Sequence, residues 1–281
     1  MKVLLINGSP HEKGCTYTAL SLIAGELKAQ GIETEILHVG GQPVGGCIGC
    51  GGCRSGNGCV FGGVVNEAIE KAKTADGFVF GSPVHYASAS GNMTSFMDRL
   101  SYAGGKYLAY KPAAICCSAR RAGTTATLDQ LVKYPQFFHM PLVNGSYWAM
   151  VHGSNAEQVL QDAEGCAVMQ ELGRNMAWLL HCIEAGKAAG FDHPQNPPYV
   201  SPVEPFRHRL SFLFSSYPSP LPLTPSHQRI VQHHQKLHRG RCAGQWVACQ
   251  LLHMFRACVP CDLCGSTNRA LNDCPVAVIL F

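Results

Sequence analysis

The chain opens on a continuous apolar run, Val3-Leu4-Leu5-Ile6, broken by Asn7-Gly8-Ser9-Pro10. After Gly14, apolar Leu20, Ile23, Ala24 and Leu27 recur at one-face helical spacing. An unbroken apolar run suits a parallel strand covered on both faces, so this stretch reads as strand, turn and helix. The same alternation recurs down the chain. Gly31 stops the first helix, and Glu33–Val39, with Ile36, Leu37 and Val39, is a second strand. Val65, Ala68, Ile69 and Ala72 mark a second helix, and Phe78-Val79-Phe80 lies in a third strand within Gly77–Gly81. A helix is predicted from about Gly91 through Tyr102, and a fourth strand from Ala113 to Cys117 after Pro112. A helix across Leu128, Leu131 and Val132 precedes a fifth strand, Leu142 to Trp148. Ser154-Asn155-Ala156-Glu157 reads as a capping box opening a long last helix. The stripe of that helix is Val168, Leu172, Met176, Leu179, Leu180 and Ile183, and Gly186 or Gly190 ends it.

Strands alternating with helices imply an α/β fold: a parallel sheet, right-handed crossovers and helices on both faces. Five such strands fit a doubly wound, flavodoxin-like sheet of order 2-1-3-4-5. Ligands of such sheets sit beyond the carboxyl ends of the strands, where the strand order reverses. Three hydroxyl- and glycine-bearing turns arrive there, after the first, third and fourth strands. They are Gly8 to Gly14, Ser82-Pro83-Val84-His85-Tyr86, and Ser118 to Thr125.

The first of these turns has the makings of an anion site, because a helix N-terminus presents free amides and the positive end of the helix dipole. The dipole contributes only about 0.3–1 kcal/mol per charge. Tight phosphate binding therefore calls on hydroxyls as well, and Ser9, Thr16 and Thr18 are at hand. A plain strand–loop–helix joint is the alternative for this turn taken alone.

Composition changes the picture in two places. A content of 46% hydrophobic and 14% charged residues describes a core-rich globular chain, and no apolar run approaches the length that spans a membrane. Fifteen cysteines would suit a disulfide-rich secreted protein. The absence of a signal-like N-terminus and the α/β pattern point instead to a reducing cytosol, where cysteines serve as thiols, ligands or redox groups. The net charge of +4 is unevenly spread: residues 195–281 hold 8 of the 22 Lys+Arg and 3 of the 18 Asp+Glu. The body is near neutral, and the average supports no nucleic-acid role.

The periodic pattern stops past Pro194. Ten of the 17 prolines lie in Pro197–Pro275, with short helical possibilities only at Leu210–Phe214 and His227–His238. The expected organisation is therefore a domain over residues 1–194 and a Pro/His/Cys-rich tail over 195–281, read as disordered or non-native sequence. Cys258-x2-Cys261-x2-Cys264 in that tail is ferredoxin-like in spacing. Cys274-Pro275 follows too late for the bacterial pattern, and the match is read as coincidence.

Together the three turns resemble the NADPH-dependent FMN reductase family of flavodoxin-like proteins. The carriers are Gly8-Ser9-Pro10 with Gly14-Cys15-Thr16, the segment Gly81-Ser82-Pro83-Val84-His85-Tyr86, and Ser118-Ala119-Arg120-Arg121-Ala122-Gly123. The resemblance implies that Ser9, Cys15, Thr16 and neighbouring amides hold the FMN phosphate. His11 stands where many relatives have arginine, so a permanent positive charge is missing there. Pro83, Val84, His85 and Tyr86 would border the isoalloxazine, with Ser118, Arg120 and Gly123 on its other side. Arg120 or Arg121 would place a cation near the flavin's N1–C2=O edge, though each is equally readable as a solvated surface charge. NAD(P)H is the implied electron donor, a small molecule the acceptor, and a homodimer the implied assembly. Flavin chemistry asks little of side chains, so no catalytic triad or carboxylate pair is expected.

A second resemblance lies in Cys47-x2-Cys50-x2-Cys53-x5-Cys59, set among Gly45, Gly46, Gly49, Gly51, Gly52, Gly56 and Gly58. Such spacing can wrap a [4Fe–4S] cube from one loop and is similar to the compact motif of the iron–sulfur flavoproteins. Reduced thiols or a redox pair remain open, and zinc, which favours two separated knuckles, is less favoured. Cys116, Cys117 and Cys182 are expected in the core, and Trp148 in the core or a dimer interface. Three functions follow: an NAD(P)H-dependent FMN oxidoreductase; an iron–sulfur flavoprotein relaying single electrons from a ferredoxin-type donor; or a non-enzymatic metal- or partner-binding protein on the same scaffold.

Overall fold

The computed structural model describes residues 1–195, which lie within one compact unit. The readings made for the tail, including its helical stretches and Cys258 to Cys274, fall outside the described residues. The elements run β1 (Lys2–Asn7), α1 (Cys15–Ala29), β2 (Glu33–His38), α2 (Val64–Thr74), β3 (Gly77–His85) and β4 (Ser88–Ala89). They continue with α3 (Gly91–Gly104), β5 (Ala113–Ala119), α4 (Thr124–Phe137), β6 (Met150–His152), α5 (Ala156–Val159) and α6 (Ala163–Ala188). Short 3₁₀ turns occupy Gly52–Ser55 and Gly105–Tyr107.

Five strands pair in parallel in the order β2-β1-β3-β5-β6, and β4 folds back antiparallel on β3. The expected order 2-1-3-4-5 is thus present. Side chains alternate across a strand, so each apolar run feeds two cores. Val3 and Leu5 of β1 join Leu20, Ile23 and Leu27 of α1 and Leu172 and Met176 of α6 on one face. Leu4 and Ile6 join Val65 and Ile69 of α2 and Phe96, Met97 and Leu100 of α3 on the other. Each fully buried Leu, Ile or Phe contributes about 1.5–3 kcal/mol. Close approach of α1 and α6 depends on Gly173, where an added Cβ would lie 2.8 Å from the Ile23 carbonyl oxygen.

Three boundaries differ from the sequence reading. The fifth parallel strand is Met150–His152 rather than Leu142–Trp148; Leu142 makes one isolated bridge to Ala113. After Val143 the chain leaves the sheet and is held to α6, through the Ser146 amide on Glu171 and the Asn175 amide on the Asn144 carbonyl. Trp148 is consequently 58% exposed and not in the core. The last long helix begins after Asp162, whose carboxylate accepts from the Gly165 amide; the 154–157 signal opens only the single turn of α5, capped by Asn155. Third, β3 continues to His85, because Ser82 and Pro83 keep their pairing with Cys117 and Ser118 of β5. Cys116 and Cys117 are buried as expected, whereas Cys182 is exposed on α6.

Candidate functional site

The turn after β1 is built by Asn7. Its Oδ1 accepts from the Ser9 amide at 3.1 Å and its Nδ2 donates to the Glu12 carbonyl at 3.0 Å, an Asx-type turn. The Ser9 hydroxyl oxygen then accepts from the His11 amide at 3.1 Å. Gly14 caps α1 without a side-chain hydrogen bond, and the first turn of the helix contains no acid. The first helical bond runs from the Thr18 amide to the Gly14 carbonyl. The amides of Cys15, Thr16 and Tyr17 therefore precede the ladder and remain available to an anion.

The hydroxyls expected at this turn have different fates. The Thr18 hydroxyl donates to the Gly14 carbonyl at 3.2 Å, so its proton is used within its own helix. Thr16 Oγ1 lies 2.8 Å from Ser118 Oγ, with both residues buried. One of the two donates to the other, leaving one donor proton between them. Ser9 is 4% exposed and keeps its own hydroxyl proton to give. His11 is exposed at the tip of the turn. The Cys15 thiol donates to the Gly153 carbonyl at 3.4 Å, and burial raises its pKa, so it acts as a neutral packing group.

The other two turns are joined to the first. Register pairs Pro83 with Ser118, so the segments after β3 and β5 start side by side. His85 pairs with Ser88, leaving Tyr86-Ala87 as a two-residue hairpin turn with φ of 50° and 59°. Positive φ at both positions defines a type I′ turn, which favours Asn and Gly; here both residues carry a Cβ, and strain of this kind gathers at functional sites. The Tyr86 ring is fully exposed, Val84 and Pro83 are half-buried, and His85 is exposed. Gly123, with φ of 96°, closes the third turn against the hairpin; a Cβ there would sit 2.7 Å from Ala87 Cα and 2.9 Å from Val84 Cγ1. Arg120 and Arg121 are exposed, and neither forms an ion pair among the described residues.

Ser90, His38 and Asn92, which hold these turns in place, went unnoticed in the sequence. Ser90 donates its hydroxyl to the Gly8 carbonyl at 2.8 Å, receives the Met93 amide as the cap of α3, and gives its own amide to Ser82 Oγ at 3.0 Å. Its signal was a serine directly before a predicted helix start. His38 Nε2 donates to the Ser9 carbonyl at 2.8 Å. Asn92 holds the chain beyond β2 through the Gly40 and Gln42 carbonyls and the Val44 amide. His152, at the end of β6, faces Asp162 at 3.6 Å.

The cysteine loop lies between β2 and α2. Cys47 and Cys50 are exposed, and Cys53 and Cys59 are half-buried. Cys59 is the anchored member: its amide and carbonyl are both bonded by Asn66, and its Sγ accepts from Arg99 Nε at 3.2 Å. Among the described residues, no three Cys, His, Asp or Glu side chains are gathered where they would hold a metal. One of the four thiols, Cys59, meets a buried cation; the four match an iron–sulfur group in donor type, and the loop must draw its sulfurs together for all of them to share one. The buried strand thiols are different. Burial pushes Cys117 up to about 12 and Cys116 well above the ordinary thiol value, so both are inert core groups.

A parallel sheet of this order, with three turns bound to one another at the reversal of strand order, is a flavodoxin-like ligand-binding fold. More narrowly, the chain belongs to the NADPH-dependent FMN reductase family, whose model matches residues 1–155. Among curated relatives, an iron–sulfur flavoprotein of Methanocaldococcus jannaschii is 28% identical over 192 residues, covering 66% of this chain and 100% of its own. An iron–sulfur flavoprotein of Methanosarcina thermophila is 23% identical over 192 residues, covering 66% and 99%. Among solved structures, RosB with a bound formylriboflavin phosphate intermediate is 12% identical, with a TM-score of 0.53 over 80% of this chain and 90% of that one; the likeness concerns the fold. No helix among the described residues is long and apolar enough to cross a membrane.

Proposed function

We propose that the protein is an FMN-dependent oxidoreductase that takes electrons from NAD(P)H and passes them to a small-molecule acceptor in the cytoplasm. The observation that carries this reading is the joining of three turns, through Thr16–Ser118 and through Gly123 against Ala87, around an uncapped helix N-terminus. In this reading the amides of Cys15, Thr16 and Tyr17 and the Ser9 hydroxyl hold the phosphate. Pro83 to Tyr86 border the ring system from the hairpin, and Ser118, Arg120 and Gly123 border it from the β5–α4 turn. Bound FMN supplies the hydride chemistry itself, so the chain's task is to bind, orient and bias charge. Arg120, which has no carboxylate partner among the described residues, favours negative charge on the reduced ring. No side chain is assigned an acid–base role. A homodimer that completes the pocket is part of the proposal.

Titration of the protein with FMN, followed by anaerobic addition of NADPH or NADH, tests this directly. Uptake of flavin and bleaching of its visible bands are the expected results; a protein that stays colourless with FMN sinks the reading.

A second reading, an iron–sulfur flavoprotein accepting single electrons from a ferredoxin-type donor, is favoured by the contact of Arg99 with Cys59 and by the names of the relatives. Cys47, Cys50, Cys53 and Cys59 would be the ligands. Anaerobically prepared protein should then show, beside flavin bands, a broad shoulder that dithionite bleaches, with iron and sulfide present. Cys50→Ala should abolish the shoulder and leave FMN bound.

A further inference from the structure

Arg99 is 6% exposed, yet none of its bonds among the described residues goes to a carboxylate. Its guanidinium spreads over the cysteine loop instead. Nε donates to Cys59 Sγ at 3.2 Å, Nη1 to the Gly45 carbonyl at 3.3 Å and Nη2 to the Gly62 carbonyl at 3.0 Å. The Phe61 ring lies 5.4 Å from the guanidinium carbon. A buried cation normally demands an anion, because removing a charge from water is costly unless a counter-charge receives it. Two carbonyls and a ring supply partial charges only. Among the described residues, the one bonded atom able to carry a full negative charge is the Cys59 sulfur, which is a thiolate once it ligates a metal.

The same helix reaches the flavin site. Ser90, the cap of α3, holds the Gly8 carbonyl and Ser82, and Arg99 follows nine residues later, about 13 Å along the axis. One rigid element thus fixes the spacing between the phosphate turn and the cysteine loop.

We propose that Arg99 is the counter-charge of the metal-bound Cys59 sulfur, and that it raises the reduction potential of the group held in the cysteine loop; this rests on the iron–sulfur reading above. Hydrogen bonds to cluster sulfurs and nearby charge are among the features that set such potentials, because the reduced group carries one more negative charge. A cationic donor on sulfur stabilises that form. Arg99 is a positioning and tuning residue in this scheme, not a ligand.

The test uses the full-length chain, reconstituted anaerobically with FMN, ferrous iron and sulfide, as wild type, Arg99→Met and Arg99→Lys. Iron and sulfide content, and the bleaching of the cluster shoulder in a potentiometric dithionite titration, are read beside FMN content, which reports the fold. The expected wild type holds FMN and about four iron and four sulfide per chain. In Arg99→Met the ratio of reduced to oxidised cluster at a fixed potential should fall about tenfold, which is 59 mV for one electron. Arg99→Lys, which keeps the charge, should restore most of that ratio. Should Arg99→Met fail to bind FMN, Arg99→Gln replaces it. A wild type that binds FMN but no iron or sulfide sinks the iron–sulfur reading and this proposal with it. A loaded wild type whose Met and Lys variants match one another, in potential or in failure to load, overturns the proposal alone and leaves Arg99 a structural clamp.

Discussion

The hydroxyls of Thr16 and Ser118 lie 2.8 Å apart, buried, across 102 positions of sequence. This single bond ties the first turn of α1 to the end of β5, and so fixes the first of the three turns against the third. Thr16→Val strands the Ser118 hydroxyl without a partner, which should cost about 1–3 kcal/mol. Removing both hydroxyls, in Thr16→Val with Ser118→Ala, should destabilise by less than the sum of the singles. Urea unfolding of the FMN-free proteins measures the coupling, and additive effects would show that the bond carries no energy.

Gly123 and Ala87 meet where the second and third turns close. Gly123→Ala forces a side chain into φ of 96° and onto Ala87 Cα, so a loss of about 1–3 kcal/mol is expected, with weaker FMN binding. Ala87→Gly should act in the opposite direction on stability, raising it by about 1 kcal/mol by relieving a left-handed backbone with a Cβ. Thermal melts and FMN titrations of both variants check this. An Ala87→Gly variant less stable than wild type would show that the turn is unstrained.

The buried strand thiols predict an alkaline weakness. Cys116 and Cys117 have folded pKa values raised by burial, Cys117 to about 12, against an ordinary value of 9.0. Above pH 9 the unfolded chain loses these protons while the folded one retains them, so stability falls as pH rises, by about 1.4 kcal/mol per unit for each thiol. The loss ends where pH passes the folded value. Denaturant midpoints between pH 8 and 10.5 should fall in the wild type and fall less in Cys117→Ala, once its own cavity cost is subtracted. In metal-free protein at pH 8 neither thiol should react with an alkylating reagent, whereas the exposed Cys47, Cys50 and Cys182 should.

The domain boundary is testable by truncation. No described core residue lies beyond Leu180, and α6 ends at Ala188. A chain ending at residue 195 is expected to fold cooperatively and bind FMN with the affinity of the full chain. A tenfold loss of affinity would mean that residues 196–281 belong to the site.

Much of the architecture could be read in one dimension because it rests on local pattern. The apolar runs at Val3–Ile6 and Phe78–Phe80, and the stripe Val168-Leu172-Met176, require burial at fixed periods, and few arrangements of five strands and their helices satisfy them. The segment 142–148 misled for an instructive reason. Its apolar residues resemble a strand, but Glu171 and Asn175, brought alongside by α6, bond its backbone at Ser146 and Asn144 in place of the sheet edge. At 154–157 a sound capping signal opened one turn only, because Asp162 caps the longer helix eight residues further on.

The alternation of elements and the three turns were legible in one dimension, since each depends on residues near one another in the chain; the strand order and the family followed from matching that alternation to a known topology. Tertiary structure alone decided how those turns are spent. Thr18 turned its proton inward, Thr16 found Ser118, Ser90 bridged two strand ends, and Arg99 reached Cys59 across 40 residues. Hydrogen bonds between distant side chains depend on where the folded backbone places both partners, and no local period records that.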